Sequence, residues 1–187
     1  MTMAVVVESR RKRRATVERA WPGALVLDVT SKGEGPWVRF SPFYPHGGLP
    51  VPNSPGTFAQ SVEGLWQGLK VFEREDVDPS RWQVKDMRGI KRAGRARGQV
   101  RGHRFGVGSD VLLGYRDARY HIYLPAYRWV LENRLAAEVR RLREAARGPV
   151  VLLDYETNGD VEDLSRPLSH AALVKHYLEG KWPATGP

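Results

Sequence analysis

The segment Gly33–Pro55, GEGPWVRFSPFYPHGGLPVPNSP, most limits what this chain can fold into, because six of its residues are proline. Proline fixes φ and carries no backbone N–H, so this segment forms neither a long helix nor a central strand. We expect an ordered loop with a short hairpin. Aromatic side chains in such a loop either pack beneath it or line a pocket for a flat ring. The aromatic residues in question are Trp37, Phe40, Phe43 and Tyr44.

The segment Ser61–Phe72, SVEGLWQGLKVF, has the periodicity of an amphipathic helix. Thr57 and Gln60 have the spacing of a capping box, so the helix is expected to begin near Thr57 or Ser61. Apolar residues recur at steps of three and four, and this spacing predicts one buried stripe. The stripe consists of Val62, Leu65, Trp66, Leu69 and Phe72.

A second row on the same helix is polar. Glu63, Gln67 and Lys70 stand at i, i+4 and i+7, so their side chains lie along one face. An acid, an amide and a base in line, entered from an aromatic loop, indicate the floor of a binding site. The alternative is a row of solvated surface charges, which contributes little to stability.

The other apolar patterns predict helices around a few short strands, which indicates an α+β fold. We predict a single domain over residues 21–187, preceded by a basic segment over residues 1–20. The predicted elements are strands at Ala24–Val29 and Val150–Tyr155, and helices at Asp86–Ala96, Tyr127–Ala146 and His170–Leu178, the last capped by Ser169.

Positive charge is the clearest feature of the composition. The formal net charge is +9, which favours an anionic ligand or partner such as a nucleotide or a nucleic acid. The cluster Ser9–Arg14, SRRKRR, is typical either of a nucleic-acid-binding element or of a mobile arm. In Arg88–Arg104, Lys and Arg alternate with Gly, which suits phosphate binding but also a flexible solvated loop. The phosphate-binding candidates are Arg88, Lys91, Arg97, Arg101 and Arg104.

Several classes of chemistry have no sequence support. The chain has no cysteine, which excludes disulfides, thiol nucleophiles and Cys-ligated zinc. The histidines are scattered without an HExxH pattern, so we expect no metal, and no P-loop or Rossmann motif indicates a cofactor. No apolar run is long enough to span a membrane, and the segment MAVVVES is too short for a signal-peptide core. We therefore expect a cytoplasmic protein without a membrane partner.

The class of chemistry that the sequence does support is catalysis by carboxylate groups. Glu63, Asp154 and Asp160 are candidates for stabilising an oxocarbenium-like transition state and for activating water at a sugar. Lys70 is a candidate electrostatic partner or an amine nucleophile toward an opened sugar aldehyde.

The helix motif resembles that of the NADAR family, in which an FSNF-like segment precedes a helix of the form SEHYFQAQKF. Ser41-Pro42-Phe43 stands in place of the first segment, although Pro42 replaces its asparagine. The stretch Lys91–Arg95 is similar to the family's AARMGR segment. VVLLDYETNGD is similar to its LVEHTENDxxWG stretch, although the Trp-Gly is missing. In the helix, the matching residues are Ser61, Glu63, Gln67, Lys70 and Phe72.

The resemblance implies a metal-free enzyme that cleaves N-glycosidic bonds, acting on riboflavin-pathway intermediates or on ADP-ribose attached to guanine. It implies that Glu63 serves in acid/base or oxocarbenium stabilisation, that Lys70 engages the anomeric carbon, and that Asp160 holds ribose or water. The alternatives are a non-catalytic nucleic-acid-binding protein and a protein that senses ADP-ribose. The substrate-binding candidates are Trp37, Phe40, Phe43, Tyr44, Gln67, Arg92, Arg95, Asp154 and Asn158.

Overall fold

The structure is a computed structural model that describes residues 4–184. It confirms the predicted α+β fold. The strands are β1 (Val5–Ser9), β2 (Leu25–Asp28), β3 (Leu49–Pro50), β4 (Phe58–Ala59), β5 (Lys70–Phe72), β6 (Val100–Arg104), β7 (Leu112–Leu113) and β8 (Val150–Asp154). The α-helices are α1 (Arg14–Ala20), α2 (Val62–Leu69), α3 (Tyr115–Ala118), α4 (Leu124–Asn133), α5 (Ala136–Ala145) and α6 (His170–Leu178).

The chain divides into two compact units, and we describe each by itself. The first unit contains residues 4–41 and 135–184, and the second contains Pro42–Arg134. The prediction of one domain over residues 21–187 stays a prediction, and its last three residues lie outside the described part of the chain.

The first unit is built on a parallel three-stranded sheet in the order β1-β8-β2. Val150 pairs with both Val5 and Leu25, so the three strands run in register from their first residues. The central strand β8 is almost fully buried over Val150–Leu152, as a parallel strand covered on both faces should be. Helix α6 packs on β1 and β8. The predicted strands at Ala24–Val29 and Val150–Tyr155 are therefore confirmed, the first one residue shorter at each end and the second one residue shorter at its end only.

The basic segment Ser9–Arg14 connects two elements of the first unit. Ser9 ends β1, the backbone N–H of Arg10 donates to the carbonyl of Asp154 at 2.8 Å, and Arg14 begins α1. A mobile arm is one of the two alternatives that the sequence of residues 1–20 allows. From residue 4 onward, the segment instead forms an edge strand and a helix, because Val5–Val7 supply the apolar residues that pair with β8.

The second unit contains a hairpin, β3-β4, and an antiparallel sheet in the order β5-β6-β7. Ser61 caps α2 by accepting a hydrogen bond from the N–H of Gly64 at 3.0 Å. The helix ends at Leu69, where Lys70 takes the extended conformation that starts β5. The predicted helix over Ser61–Phe72 is thus three residues too long at its end.

Two glycines let α2 lie directly against the 3-10 helix Pro79–Gln83. A Cβ atom at Gly68 would lie 1.9 Å from Nε1 of Trp82, and one at Gly64 would lie 2.6 Å from the carbonyl oxygen of Arg81. The backbone of α2 therefore approaches this neighbour more closely than any residue with a side chain allows.

Two predicted helices differ from the structure. Asp86–Ala96 does not form an α-helix, because Gly89 and Gly94 adopt φ values of 67° and 124°, and only its end enters the short 3-10 helix Arg95–Arg97. The predicted helix Tyr127–Ala146 is interrupted at Arg134 and Leu135, which separate α4 from α5 and coincide with the boundary between the units. Neither residue is Gly or Pro, so the sequence carried no signal for the break.

Candidate functional site

Helix α2 is buried on nearly every side. Within it, only Glu63 and Trp66 are half-exposed, and Lys70, directly after its end, is half-exposed as well. Glu63 and Trp66 are spaced i, i+3, so they share one face of the helix. A carboxylate, an indole and an amine therefore open to one side of an otherwise buried element. Sequence analysis predicted the row that contains Glu63 and Lys70, but it assigned Trp66 to the buried stripe.

A chain of hydrogen bonds fixes the acidic end of this site. The amide Nε2 of Gln67 donates to Oε1 of Glu63 at 2.8 Å, and Oε1 of Gln67 accepts from the backbone N–H of Arg92 at 3.1 Å. Gln67 is buried, so both ends of its amide are used within the protein. Gln67 was predicted to bind substrate, and its position supports a role in orienting Glu63.

Arg92 holds the end of α2 in place. Its buried guanidinium donates to the backbone carbonyls of Gln67 and Lys70 and forms an ion pair with Glu75 at 3.2 Å. These contacts fix the backbone at the point where the helix turns into β5. Arg92 was predicted to bind substrate, yet its donors are directed into the protein, where they position Lys70.

Lys70 is a partly desolvated amine. Burial lowers its pKa, the charge of Glu63 raises it, and the positive charges of Lys91 and Arg92 lower it further, with a net decrease. A lowered pKa increases the fraction of neutral amine, which is the nucleophilic form. The environment of Lys70 therefore lowers the cost of holding its amine in the neutral form.

His103 lies beside this amine. It is 3% exposed and pairs with Lys70 across the β5–β6 ladder. Burial and the charge of Lys70 lower the pKa of His103 to about 3, so the imidazole is neutral at physiological pH. Neither ring nitrogen has a hydrogen-bond partner among residues 4–184. Sequence analysis treated His103 only as one of several scattered histidines, because strand pairing is what brings it to Lys70.

Aromatic rings surround Trp66. The ring centroid of His103 lies 3.7 Å from that of the indole, and those of Tyr115 and Tyr123 lie at 6.3 Å and 5.7 Å. The hydroxyl of Tyr115 accepts a hydrogen bond from Nη2 of Arg119 at 2.9 Å, although Tyr115 is 42% exposed. The site thus has an aromatic wall that the helical spacing of α2 alone does not indicate.

Most of the predicted phosphate-binding arginines are engaged in ion pairs with the acidic segment that follows β5. The pairs are Arg97 with Glu75 at 2.7 Å, Arg101 with Glu73 at 3.3 Å, and Arg104 with Asp76 at 2.7 Å. These contacts tie the Gly-rich stretch to the acidic segment. Binding of phosphate by these three residues would have to compete with the acidic partners.

Three other basic side chains of this stretch remain exposed. Arg88 and Arg95 form no ion pair within the described part of the chain, and neither does Lys91. The amine of Lys91 lies 5.6 Å from the ring centroid of Phe43, and its charge acts on Lys70. Lys91 is therefore the basic residue of the set that the structure brings to the site.

Asp154, in the first unit, has a structural environment. Its Oδ2 accepts from Oγ of Ser169 at 2.8 Å and from the N–H of Ala171 at 3.2 Å, and it lies 3.0 Å from Nδ1 of His170. Its Oδ1 accepts from the N–H of Tyr155 at 2.7 Å. Burial raises the pKa of Asp154, but the charge of His170 and these hydrogen bonds outweigh it, so the pKa falls to about 2. The carboxylate, predicted to bind substrate, links β8 to the start of α6.

Asn158 and Asp160 lie in the loop between β8 and α6, also in the first unit. The amide of Asn158 donates to the carbonyls of Asp163 and Arg166 and accepts from the N–H of Asp160 at 3.0 Å. Asp160 is exposed, and its carboxylate accepts from the N–H of Glu162 at 2.9 Å. Asn158 organises this loop, and Asp160 belongs to a different unit from Glu63 and Lys70.

The four aromatic residues predicted to hold a flat ring are divided between the units. Trp37 and Phe40 belong to the first, where their rings stack at 6.3 Å and Phe40 is fully buried. Phe43 and Tyr44 belong to the second and are half-buried. The burial of Phe40 indicates packing beneath the loop, which was the first of the two alternatives for this group.

Among residues 4–184, no group of three or more His, Asp and Glu side chains is arranged to hold a metal ion. In the same range, none of the helices combines the length and the apolar character needed to cross a bilayer.

The protein is an α+β protein whose best-defined polar site combines a glutamate, a half-buried lysine and a tryptophan on and beside one helix. It belongs to a family of unknown function, DUF6939, whose model matches residues 9–174. Comparisons with curated proteins and with solved structures give no match. The resemblance to the NADAR family stays a prediction.

Proposed function

We propose that this protein is a hydrolase that cleaves the N-glycosidic bond of a phosphorylated ribosyl compound, either ADP-ribosylated guanine in nucleic acid or a nucleotide-like metabolite. The observation that carries the proposal is that Glu63 and Lys70 are both half-exposed on and directly after α2, where the charge of Glu63 acts on the partly desolvated amine of Lys70. The proposal places the protein in the cytoplasm.

Glu63 supplies the carboxylate that such a reaction needs. Its orientation by Gln67 at 2.8 Å holds the carboxylate in one position, which favours a role in proton transfer or in stabilising an oxocarbenium-like transition state. When the C1′–N bond breaks, water provides the hydroxyl that C1′ gains and the proton that the leaving base gains. The lowered pKa of Lys70 supports its role at the anomeric carbon, as an electrostatic partner or as a nucleophile.

Lys91 is the best-placed residue for the phosphate of the substrate. It is exposed, and its charge acts on Lys70 from nearby. An ammonium whose charge acts on Lys70 attracts an anionic substrate and contributes to the lowered pKa of Lys70 at the same time. Arg88 and Arg95 are exposed in the same stretch of chain as Lys91 and are further candidates for contact with a longer anion.

The test uses two substrates, DNA carrying ADP-ribosylated guanine and an aminopyrimidine ribotide, with mass spectrometry of the released base and sugar. Wild type is expected to release product from one of them. Glu63→Gln is expected to bind the same substrate without turnover. Glu132→Gln is the matched control, because Glu132 is an exposed residue that pairs with Arg128 on α4. If wild type releases product from neither substrate, the proposal is wrong.

A second candidate is a non-catalytic protein that binds nucleic acid or senses ADP-ribose. The net charge of +9 and the exposed Arg88 and Arg95 favour it. This candidate predicts DNA affinity that falls steeply with salt and is unchanged in Glu63→Gln. A sensor predicts that ADP-ribose raises the melting temperature while no product forms.

A further inference from the structure

Trp66 has the position of a stacking platform. Its indole is half-exposed on the helix face that carries Glu63, and His103 supports it at a ring-centroid distance of 3.7 Å. Tyr123 meets it edge-on, with an angle of 85° between the ring planes. Because neighbouring rings restrict the indole, little side-chain freedom remains to be lost when another ring packs on it.

Tyr115 extends this platform. Its ring lies 6.3 Å from the indole, and the guanidinium of Arg119 lies 4.3 Å from the tyrosine ring centroid. Arg119 also donates to the hydroxyl of Tyr115. An exposed tyrosine that is held by a stacked cation and a hydrogen bond is preorganised for contact with a ligand.

His103 gives an independent reason to regard this wall as built for a ligand. A buried imidazole without hydrogen bonds is costly, and the neutral ring gains no ion pair in return. The residue fills the space between Trp66 and the backbone of Lys70, its partner in the ladder. A phenylalanine would fill a similar space without this cost, so packing alone does not account for a histidine here.

We infer that Trp66 and Tyr115 bind the flat base of the substrate by stacking, so that the N-glycosidic bond lies over Glu63 and Lys70. This inference rests on the proposed N-glycosidase function and specifies its substrate class as a ribosyl compound with a purine or pyrimidine base. It assigns the ring to the face of α2, whereas the sequence suggested the loop with Trp37, Phe40, Phe43 and Tyr44. Stacking on aromatic residues tolerates any base because every base has a π-face.

The binding test is ¹⁹F NMR of protein labelled with 5-fluorotryptophan, which gives one resonance for each of the six tryptophans. Trp66→Phe identifies the resonance of Trp66. Guanosine monophosphate is expected to shift this resonance, whereas ribose 5-phosphate, which has no base, leaves it in place. Trp21, 36% exposed in the other unit, is the matched control and is expected not to respond. A shift confined to Trp37, an equal response to ribose 5-phosphate, or no shift at millimolar nucleotide overturns the inference.

A kinetic test separates this inference from the proposed function. Trp66→Leu is expected to raise KM about 10- to 100-fold, the range that corresponds to loss of one base–aromatic stack, and Trp66→Phe to raise it less. Base release with an unchanged KM in both variants overturns the platform and leaves the hydrolase proposal standing. A base-dependent shift of the Trp66 resonance without base release by wild type supports the platform and contradicts the hydrolase proposal. Melting curves confirm that each variant is folded.

Discussion

His103 lies directly opposite Lys70 in the antiparallel ladder of β5 and β6. Side chains at such a position have Cβ atoms about 5 Å apart and point to the same face of the sheet. A neutral imidazole and a partly desolvated amine are therefore held together by strand pairing, and the charge of Lys70 contributes to keeping the pKa of His103 low. The first two predictions concern the pKa of Lys70 and the pKa of His103.

The first prediction concerns the reactivity of Lys70. Burial, followed by the charges of neighbouring residues, sets its lowered pKa, with Glu63 acting upward and Lys91 acting downward. Lys91→Ala is therefore expected to raise the pKa of Lys70, and Glu63→Gln to lower it. The measurement is pH-dependent acetylation of Lys70, followed by mass spectrometry of its peptide. Lys85, which is exposed, provides the reference for the intrinsic reactivity of the reagent. Shifts of the same sign in the two variants would contradict the assignment of these charges.

The second prediction concerns acid stability. The pKa of His103 is about 3 in the folded protein and about 6.5 in the unfolded chain, so the unfolded state binds the extra proton between these values. Stability should therefore fall as the pH decreases from about 6.5, by up to about 1.4 kcal/mol per pH unit from this residue. His103→Phe should remove that component. The measurement is urea unfolding at several pH values, and an identical slope for wild type and His103→Phe would show that the imidazole is not desolvated.

The sequence predicted the elements that local periodicity defines. The helix was expected to begin near Thr57 or Ser61, and it begins at Val62 with Ser61 as its cap, so the Thr57/Gln60 capping box is not used. Glu63 and Gln67 share one face of the helix as predicted, because helical spacing is a short-range property. The sequence did not predict that Trp66 is half-exposed, because an apolar residue at the spacing of a buried stripe is assigned to that stripe. His103 was missed because it is brought to Lys70 by a strand pairing thirty-three residues apart in the chain.

Charge patterns were the least informative part of the sequence. The alternation of Arg and Gly suggested a phosphate-binding loop, but the acidic segment Glu73–Asp76 neutralises Arg97, Arg101 and Arg104. These pairs join residues more than twenty positions apart, so only the fold reveals them. In the same way, Asp154 was interpreted as a carboxylate of the binding site, because its partner His170 lies sixteen residues later in the chain, on another element.

The third prediction concerns the close approach of α2 to Trp82. A Cβ atom at Gly68 would lie 1.9 Å from the buried indole Nε1, so Gly68→Ala forces either the helix or the indole to move. We expect a loss of about 1–3 kcal/mol in the free energy of unfolding, the usual cost of overpacking. Gly114→Ala is the matched control in the same unit, because nothing lies within 4 Å of its Cβ position. Equal stability of the two variants would contradict the packing described for α2.

The fourth prediction concerns the buried pair of Asp154 and His170. Burial lowers the pKa of His170, but the charge and hydrogen bond of Asp154 and the carbonyl of Val29 outweigh it, so the net shift of the pKa is upward. Because the folded-state pKa of His170 is raised, its contribution to the free energy of unfolding is fully present below the unfolded-state pKa of about 6.5. This contribution should be lost as the pH rises through the folded pKa. The depressed pKa of Asp154 adds stability above about 4, which is lost as the pH falls toward about 2.

Removing one partner of this pair leaves a buried charge without compensation. His170→Phe is therefore expected to cost about 3–5 kcal/mol at pH 6, while the double variant Asp154→Asn with His170→Phe should be less destabilised than the sum of the single variants. The measurement is a double-mutant cycle by urea unfolding at pH 6 and at pH 9. Because the imidazolium is lost as the pH rises through the folded-state pKa of His170, the coupling free energy should decrease as the pH rises. A cycle that is additive at both pH values would mean that Asp154 and His170 do not form a charged pair.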